Sequence, residues 1–282
     1  MNKIYTTIAA AILTLGLNAQ DLPKPSPSAM VEQTVGLTDI AVTYSRPGVN
    51  DRTIWGELVP YDEVWRAGAN KATLFSISAD IKIEGKTLAK GDYSLFILPK
   101  KDGLWTLIWN KETELWGSGD YKEENDALRI DVPAEAIECG SERLEYRFID
   151  VDMSTAQFAM DWAGKRVQVM ISADPTAQVK ANIATAIEES KDEDLWRVYR
   201  NAASYAEDNS MTKEGLEWIT KSVELKNDNW YSYWVYANLL AQNNELKKAI
   251  EMGKKSIKIG KEGENFSYEG RIQADIDAWS KK

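Results

Sequence analysis

The sequence predicts a multidomain protein in which an antiparallel β-sandwich or jelly-roll-like domain is followed by a short α-helical repeat domain. Three observations lead to this prediction. Short apolar segments with a two-residue alternation fill residues 31–174. At Pro175 the pattern changes abruptly to alanine-rich segments with helical periodicity. Beyond that point the chain is similar to itself at a shift of 34 residues.

The first nineteen residues have the pattern of a secretory signal peptide. Lys3 precedes an apolar run over residues 8–17, and the small residue Ala19 stands before Gln20. The run is shorter than the roughly 20 residues that a membrane span needs, and no later segment is apolar and long enough to cross a bilayer. We therefore expect an exported protein, located in the periplasm or outside the cell, with no transmembrane segment in the mature chain.

Residues 20–174 follow the leader and hold the strand signals. The proline-rich stretch Pro23–Pro27 predicts an extended tether over residues 20–30. Residues 50–70 are too long for a hairpin turn and predict a structured loop over one end of the sheets. Nine segments predict strands, at 39–45, 73–78, 81–83, 93–98, 104–109, 127–132, 144–151, 156–162 and 166–172.

Residues 175–282 are predicted to be helical. Apolar residues in 176–190 have the spacing of an amphipathic helix. The 34-residue shift aligns small residues where helices would cross closely, Ala203 with Ala237 and Gly215 with Ala249, and large ones between them, Tyr199 with Tyr233 and Leu216 with Ile250. This pattern resembles the tetratricopeptide repeat, although the usual closing proline is absent, with Asn227 and Lys261 near its position. The pattern predicts two repeats, about 195–228 and 229–262, with capping helices at 176–190 and 267–279.

A repeat of this kind stacks because each helix pair has an apolar face that it cannot bury alone. We expect the stack to dock a protein partner, with Trp230, Tyr231 and Tyr236 as candidate contacts. The alternative is that these aromatic side chains belong to the core between the helices.

Composition excludes several classes of function. The chain has no histidine and one cysteine, Cys139, so a Ser-His-Asp triad, a Cys-His pair and a thiolate zinc site are absent. The formal net charge is −10, which argues against binding to nucleic acid. The sequence predicts no cofactor and no metal site.

Residues 44–73 combine arginines and aromatic residues within an otherwise acidic domain. A guanidinium binds carboxylate or phosphate through two parallel hydrogen bonds, and a tryptophan ring stacks on a sugar. We therefore expect a pocket for an anionic or carbohydrate-like small ligand, lined by Tyr44, Arg46, Arg52, Trp65, Arg66 and Asn70. The alternative is a structural clamp, in which the arginines pair with Asp51, Glu57, Asp62 and Glu63 and hold the long loop against the sheets.

Five motifs in this region resemble a bacterial secreted family, the domain of unknown function 2911. They are YSRP at 44–47, GELVPY at 56–61, VWRAGAN at 64–70 with Thr73, GDYSLFILP at 91–99, and WTLIWNK at 105–111 with Trp116-Gly117. The resemblance covers about residues 25–173. The chain departs from the family pattern at residues 49–52 and at Lys71. Since the family has no assigned activity, the resemblance implies a site and no chemistry.

Two functions remain open from the sequence. The first is a non-catalytic envelope protein that binds a ligand or a partner and docks through its helical repeats. The alternative is a carboxylate-dependent hydrolase of envelope glycans or peptides, since two carboxylates are enough for glycoside hydrolysis. Its candidate acids would be Glu57, Asp62, Glu63 and the pair Asp150 and Asp152.

Overall fold

The computed structural model describes residues 22–138, 140–263 and 266–281, which form two compact units. Unit 1 ends at Asp174 and unit 2 begins at Pro175. The predicted signal peptide at 1–19 and Cys139 lie outside the described residues. Within the described part of the chain, no helix has the length and apolar character that a membrane span requires.

In the part of unit 1 that the structure describes, the strands form two antiparallel sheets. One has the strand order β1-β2-β3-β6-β7-β8, and the other has the order β10-β11-β12-β4-β5, with β9 also paired to β12. With the helices of unit 2, this arrangement confirms the predicted fold class. The strands are β1 (Ser28–Val35), β2 (Thr38–Ser45), β3 (Thr73–Ile77), β4 (Ile81–Ile83), β5 (Lys86–Leu88), β6 (Gly91–Leu98), β7 (Trp105–Asn110), β8 (Asp126–Val132), β9 (Glu135–Ala136), β10 (Glu145–Ile149), β11 (Thr155–Trp162) and β12 (Lys165–Ser172).

The core of unit 1 lies between the two sheets and is built by alternation along the strands. In β2, every second residue from Thr38 to Tyr44 is buried, as expected for a strand with one face in a core. Aromatic rings join the sheets: Phe75 of β3 lies edge-on to Trp109 of β7 and to Phe158 of β11, with ring centroids 5.8 and 5.3 Å apart. Each fully buried side chain of this size contributes about 1.5–3 kcal/mol.

The predicted tether at 20–30 is wrong at its C-terminal end, because β1 begins at Ser28. β1 pairs with β2 along its whole length, from Ser28 opposite Ser45 to Val35 opposite Thr38. Its outward face is exposed and its sequence, SAMVEQTV, has no strong apolar alternation. The strand is therefore stabilised by its hydrogen bonds to β2, which local sequence does not reveal.

The described residues of unit 2 form six helices, with consecutive helices packed against each other. The first and last helices begin and end within two residues of the capping helices predicted at 176–190 and 267–279. The helices are α1 (Thr176–Glu189), α2 (Asp192–Asp208), α3 (Thr212–Leu225), α4 (Trp230–Gln242), α5 (Leu246–Glu262) and α6 (Glu269–Ser280).

The 34-residue period is visible in the contacts of the helices. The hydroxyl of Ser222 donates to the carbonyl of Trp196 at 2.9 Å, and that of Ser256 donates to the carbonyl of Trp230 at 2.7 Å. Both partners of the first bond lie 34 residues before those of the second. The pairs α2–α3 and α4–α5 therefore repeat one geometry. Gly215 of α3 allows α3 to approach α4 closely, since a Cβ at this position would lie 2.7 Å from Cδ2 of Leu239.

Candidate functional site

Two of the six residues predicted to line a ligand pocket belong to the core of unit 1. Trp65 is 8% exposed, stacks on Trp162 with ring centroids 5.5 Å apart, and donates from Nε1 to the carbonyl of Gly68 at 3.2 Å. The buried hydroxyl of Tyr44 accepts from the backbone N–H of Tyr146 at 3.2 Å. Both side chains therefore have structural partners.

Two of the predicted arginines bind main-chain carbonyls. Arg46 Nε donates to the carbonyl of Leu144 at 2.9 Å, and its closest carboxylate, Glu145, lies at 4.0 Å. Arg52 donates to the carbonyls of Val49 at 3.0 Å and Gly48 at 2.5 Å. These contacts fasten the turn after β2 to itself and to the start of β10.

Two further polar side chains of this loop, Asn70 and Asp62, have partners. Asn70 donates from Nδ2 to the hydroxyl of Ser45 at 3.1 Å. Asp62 pairs with Lys100 at 2.6 Å, so this carboxylate, which the clamp interpretation would assign to an arginine, pairs with a lysine instead. The loop therefore contains clamps, but they differ from the predicted arginine–carboxylate pairs.

Arg66 differs from the other two arginines of this loop, Arg46 and Arg52. Its side chain forms no hydrogen bond and no ion pair with the described residues, and its Nε is buried without a partner. Desolvation by the surrounding protein lowers the pKa of its guanidinium from the ordinary value. The structure therefore separates Arg66 from the other five predicted residues.

A cavity in unit 2 lies along α2, α4 and α6, with one lining residue, Leu246, from α5. It has a volume of about 450 Å³, and a second cavity of about 250 Å³ shares four of its residues, so the two adjoin. We call the combined space the helical groove. Its lining consists of Ser204, Glu207, Asp208, Tyr231, Trp234, Val235, Asn238, Ala241, Gln242, Leu246, Tyr268, Arg271, Asp275 and Trp279.

Trp234 occupies the middle of the helical groove and connects α4 to α6. Its Nε1 donates to Oδ2 of Asp275 at 3.0 Å. The guanidinium of Arg271 lies over its ring, 5.1 Å from the centroid, a cation–π distance. One indole thus holds a carboxylate and a guanidinium from α6 at fixed positions on the groove wall.

Glu207 carries the most perturbed carboxyl group of the groove. Burial is the main cause that raises its pKa to about 7, and the charges of Asp208 and Asp275 raise it further. Asn238 donates to its Oε1 at 2.7 Å, and this bond lowers the pKa, as does the charge of Arg271. The groove therefore contains a carboxyl group that changes charge near neutral pH.

The three predicted partner contacts have different positions. Tyr231 lines the helical groove and its hydroxyl lies 3.1 Å from that of Ser204. Trp230 is half-buried among aromatic rings, 5.1 Å from Phe266. Tyr236 accepts from Thr220 at 3.4 Å. Trp230 and Tyr236 are outside the described lining, so only Tyr231 joins the groove.

Most of the groove residues were not predicted from the sequence, although the sequence contains a signal for them. The lining residues recur at the repeat period, Ser204 with Asn238 and Trp234 with Tyr268, each pair 34 residues apart. Residues at the same position of successive repeats share one face of the stack. Following polar residues at this spacing would have found the groove.

The described residues contain no cluster of three or more Cys, Asp or Glu side chains that could hold a metal ion. The groove carboxylates Glu207, Asp208 and Asp275 are instead arranged around the amide of Asn238, the indole of Trp234 and the guanidinium of Arg271. This arrangement of side chains can bind polar and charged groups of a ligand.

Comparison with known families matches residues 26–171 to the family described as protein of unknown function (DUF2911). This is more than half of the 282 residues. The chain belongs to the DUF2911 family. The match ends before Asp174, so it covers unit 1 and leaves unit 2 outside the family model. No curated protein matches the chain.

Proposed function

We propose that this DUF2911 protein is exported and binds a protein partner, and that the helical groove holds an extended segment of that partner. The observation that carries the proposal is the groove itself, a space of about 450 Å³ that presents two indoles, two amides and charges of both signs. Specific binding sites combine an apolar surface with a few positioned polar groups in this way.

We further propose that unit 2 is a repeat module of the tetratricopeptide type. The recurrence of one hydrogen bond at Ser222 and Ser256, 34 residues apart, supports this proposal. In stacked helical repeats the curvature of the stack produces an extended concave binding surface. The groove helices α2, α4 and α6 are every second helix of the stack, as expected if they form its inner layer.

The chemistry of the lining suits a peptide backbone together with one or two side chains. Asn238 and Gln242 carry amides, which can both donate to and accept from main-chain groups. Tyr231 and Trp279 are half-buried and offer aromatic surface, and both are residue types that often dominate binding energy at interfaces. The groove thus has the groups needed for an extended segment.

The groove proposal is tested by charge reversal within the full chain. Arg271→Glu changes an exposed residue of the groove, and Lys254→Glu makes the same change on the exposed face of α5, outside the described lining. Both variants should fold, as judged by circular dichroism. In affinity purification from envelope extract followed by mass spectrometry, the control should keep the proteins that the natural sequence retains, and Arg271→Glu should lose them. Equal retention by both variants would exclude the groove as the binding surface.

Export is tested separately. Expression of the full chain in a Gram-negative host should deliver it to the periplasmic fraction, and intact mass should show that the mature chain begins at Gln20. A variant with Ile12→Lys in the apolar run of the leader should stay in the cytoplasm at full length, since a charge interrupts the segment that the export machinery recognises. A full-length natural chain in the cytoplasm would contradict export.

A further inference from the structure

Arg66 differs from every other arginine of unit 1. Unit 1 contains seven arginines, and Arg66 alone among them has no hydrogen bond or ion pair with the described residues. The other six each donate to a carbonyl or carboxylate oxygen: Arg46, Arg52, Arg129, Arg143, Arg147 and Arg166.

The backbone places Arg66 on the outer face of the first sheet. Trp65 is hydrogen-bonded to Ile97 of β6 in both directions, at 2.8 and 2.9 Å, and its ring enters the main core. Its neighbour Val64 packs on the opposite side, in a cluster with Phe96. Because side chains alternate along an extended segment, Arg66 belongs to the same side as Val64 and Phe96. That side is apolar, consistent with the desolvation of Arg66.

The main chain after Arg66 is held rigidly. Ala67 has a φ of 52°, a left-handed conformation that is unfavourable for a residue with a Cβ. Its carbonyl accepts from the hydroxyls of Thr73 at 2.8 Å and Tyr146 at 2.7 Å, both in buried surroundings. Arg66 directly precedes Ala67, so its side chain is attached to a fixed backbone. This lowers the entropy cost of binding a ligand.

The guanidinium is left half-solvated. Only Nε is sealed from water without a partner, so the two terminal nitrogens of Arg66 remain in contact with solvent. Two carboxylates of the surrounding loops pair with lysines, Asp62 with Lys100 at 2.6 Å and Glu114 with Lys71 at 2.7 Å. A charge that is partly desolvated and has no counter-charge destabilises the folded protein. An anion at the two open nitrogens would remove that cost.

We propose that Arg66 is a binding site for the carboxylate or phosphate group of a small ligand. The two terminal N–H groups of a guanidinium match the two oxygens of such a group and form parallel hydrogen bonds with it. The apolar surroundings strengthen the attraction relative to a site in open water. This site lies in unit 1 and does not depend on partner binding by the helical groove.

The test compares the natural chain with Arg66→Met and with Lys101→Met, a control that removes an exposed charge of unit 1. Thermal midpoints are measured in sodium chloride, and then with chloride replaced by acetate or by inorganic phosphate at constant ionic strength. Phosphate stabilises many proteins by exclusion from their surface, so the readout is the difference between variants. The natural chain and the control should gain about 2–4 °C more than Arg66→Met at saturating anion.

The sign of the change in chloride is a second readout. Arg66→Met should raise the midpoint there, because it replaces an unpaired, half-buried charge with an apolar chain of similar length. A structural arginine would give a lower midpoint instead, and that result, or an equal anion response of all three proteins, would overturn the proposal.

Arg66→Lys provides a test that does not depend on the behaviour of the methionine variant. Lysine keeps the positive charge but lacks the two parallel N–H donors of the guanidinium. The anion concentration that gives half of the rise in thermal midpoint should therefore increase about tenfold. An unchanged value would contradict the proposed paired contact. A response to acetate alone identifies a carboxylate ligand, and a response to phosphate alone identifies a phosphate.

Discussion

The loop at 44–70 in unit 1 and the helical groove in unit 2 both contain arginine, tryptophan and amide side chains, yet these side chains have different surroundings. In the loop, Arg46 and Arg52 donate to main-chain carbonyls and Trp65 is buried. In the groove, Trp234 is as buried as Trp65, but Arg271 is exposed and lines a cavity of about 450 Å³. Residue type alone therefore does not mark a site, because the partner of each polar atom decides whether it remains available to a ligand.

The largest expected effect on stability is that of replacing Trp65 in the loop of unit 1. Trp65→Ala should lower the free energy of unfolding by about 3–5 kcal/mol, the usual cost of deleting a large aromatic side chain from a core. The variant removes the stack on Trp162 and the hydrogen bond to Gly68. Urea unfolding followed by circular dichroism measures the change.

Trp116→Ala is the matched control, since Trp116 is 72% exposed. Its effect should stay within about 0.5 kcal/mol. If Trp65→Ala were as mild as this control, Trp65 would have to be counted among the ligand-contacting residues of the loop, and the contrast with the groove would fail.

Within the loop, Arg46 and Arg66 can be compared directly through their methionine variants. Arg46→Met should destabilise the protein by about 1–2 kcal/mol, because it removes a charged donor and leaves the carbonyl of Leu144 without its 2.9 Å partner. The effect of Arg66→Met in chloride should have the opposite sign. Equal signs for the two variants in the same urea titration would show that both arginines are structural or that neither is.

The strands of unit 1 could be predicted where apolar and polar residues alternate strongly along the sequence, as in β2. Where this alternation is weak, as in β1, the strand could not be predicted. The role of Arg46 was harder to predict, because its partner carbonyl at Leu144 lies 98 residues away. Every residue has a main-chain carbonyl, so the sequence does not indicate which one accepts the hydrogen bond. The carboxylates close in sequence suggested ion pairs, but the backbone supplied the acceptors. Hydrogen bonds of this kind depend on tertiary structure alone.

In unit 2 the sequence predicted the repeat but not the groove. The period of 34 residues was detectable at Ala203 and Ala237, and the same period relates Ser204 to Asn238 in the lining. Attention to aromatic residues favoured Trp230 and Tyr236 instead, which lie outside that lining. The shifted pKa of Glu207 could not be foreseen, because its causes include charges on two helices, Asp208 on α2 and Asp275 on α6.

Glu207→Gln tests the electrostatics of the groove through pH. In the folded state the pKa of Glu207 is about 7, against an ordinary value of 4.5, so the folded protein binds more protons than the unfolded chain within that interval. Its contribution to stability therefore falls as pH rises from about 4.5 to about 7 and then stays constant. The variant should be more stable than the natural chain by about 1 kcal/mol at pH 8, since solvent screens a partly exposed group.

At pH 4.5 the two proteins should be nearly equally stable, because glutamine resembles the protonated glutamic acid and keeps an acceptor for Asn238. Urea titrations across the pH range provide the measurement. A constant difference between the proteins at all pH values would mean that Glu207 is solvated like a surface carboxylate, and the groove would lose the feature that most distinguishes it from the loop in unit 1.

The smallest expected effect concerns Tyr236, a predicted partner contact that the structure leaves outside the described groove lining. Tyr236→Phe removes a long bond of 3.4 Å from Thr220, whose hydroxyl also donates to the carbonyl of Leu216 at 2.8 Å. Since Thr220 keeps its better acceptor, the loss should be below about 0.5 kcal/mol. Partner retention should also be unchanged, whereas Tyr231→Phe, which alters the hydroxyl beside Ser204 within the groove, should weaken it. Loss of partners in Tyr236→Phe with full retention in Tyr231→Phe would move the binding surface away from the groove.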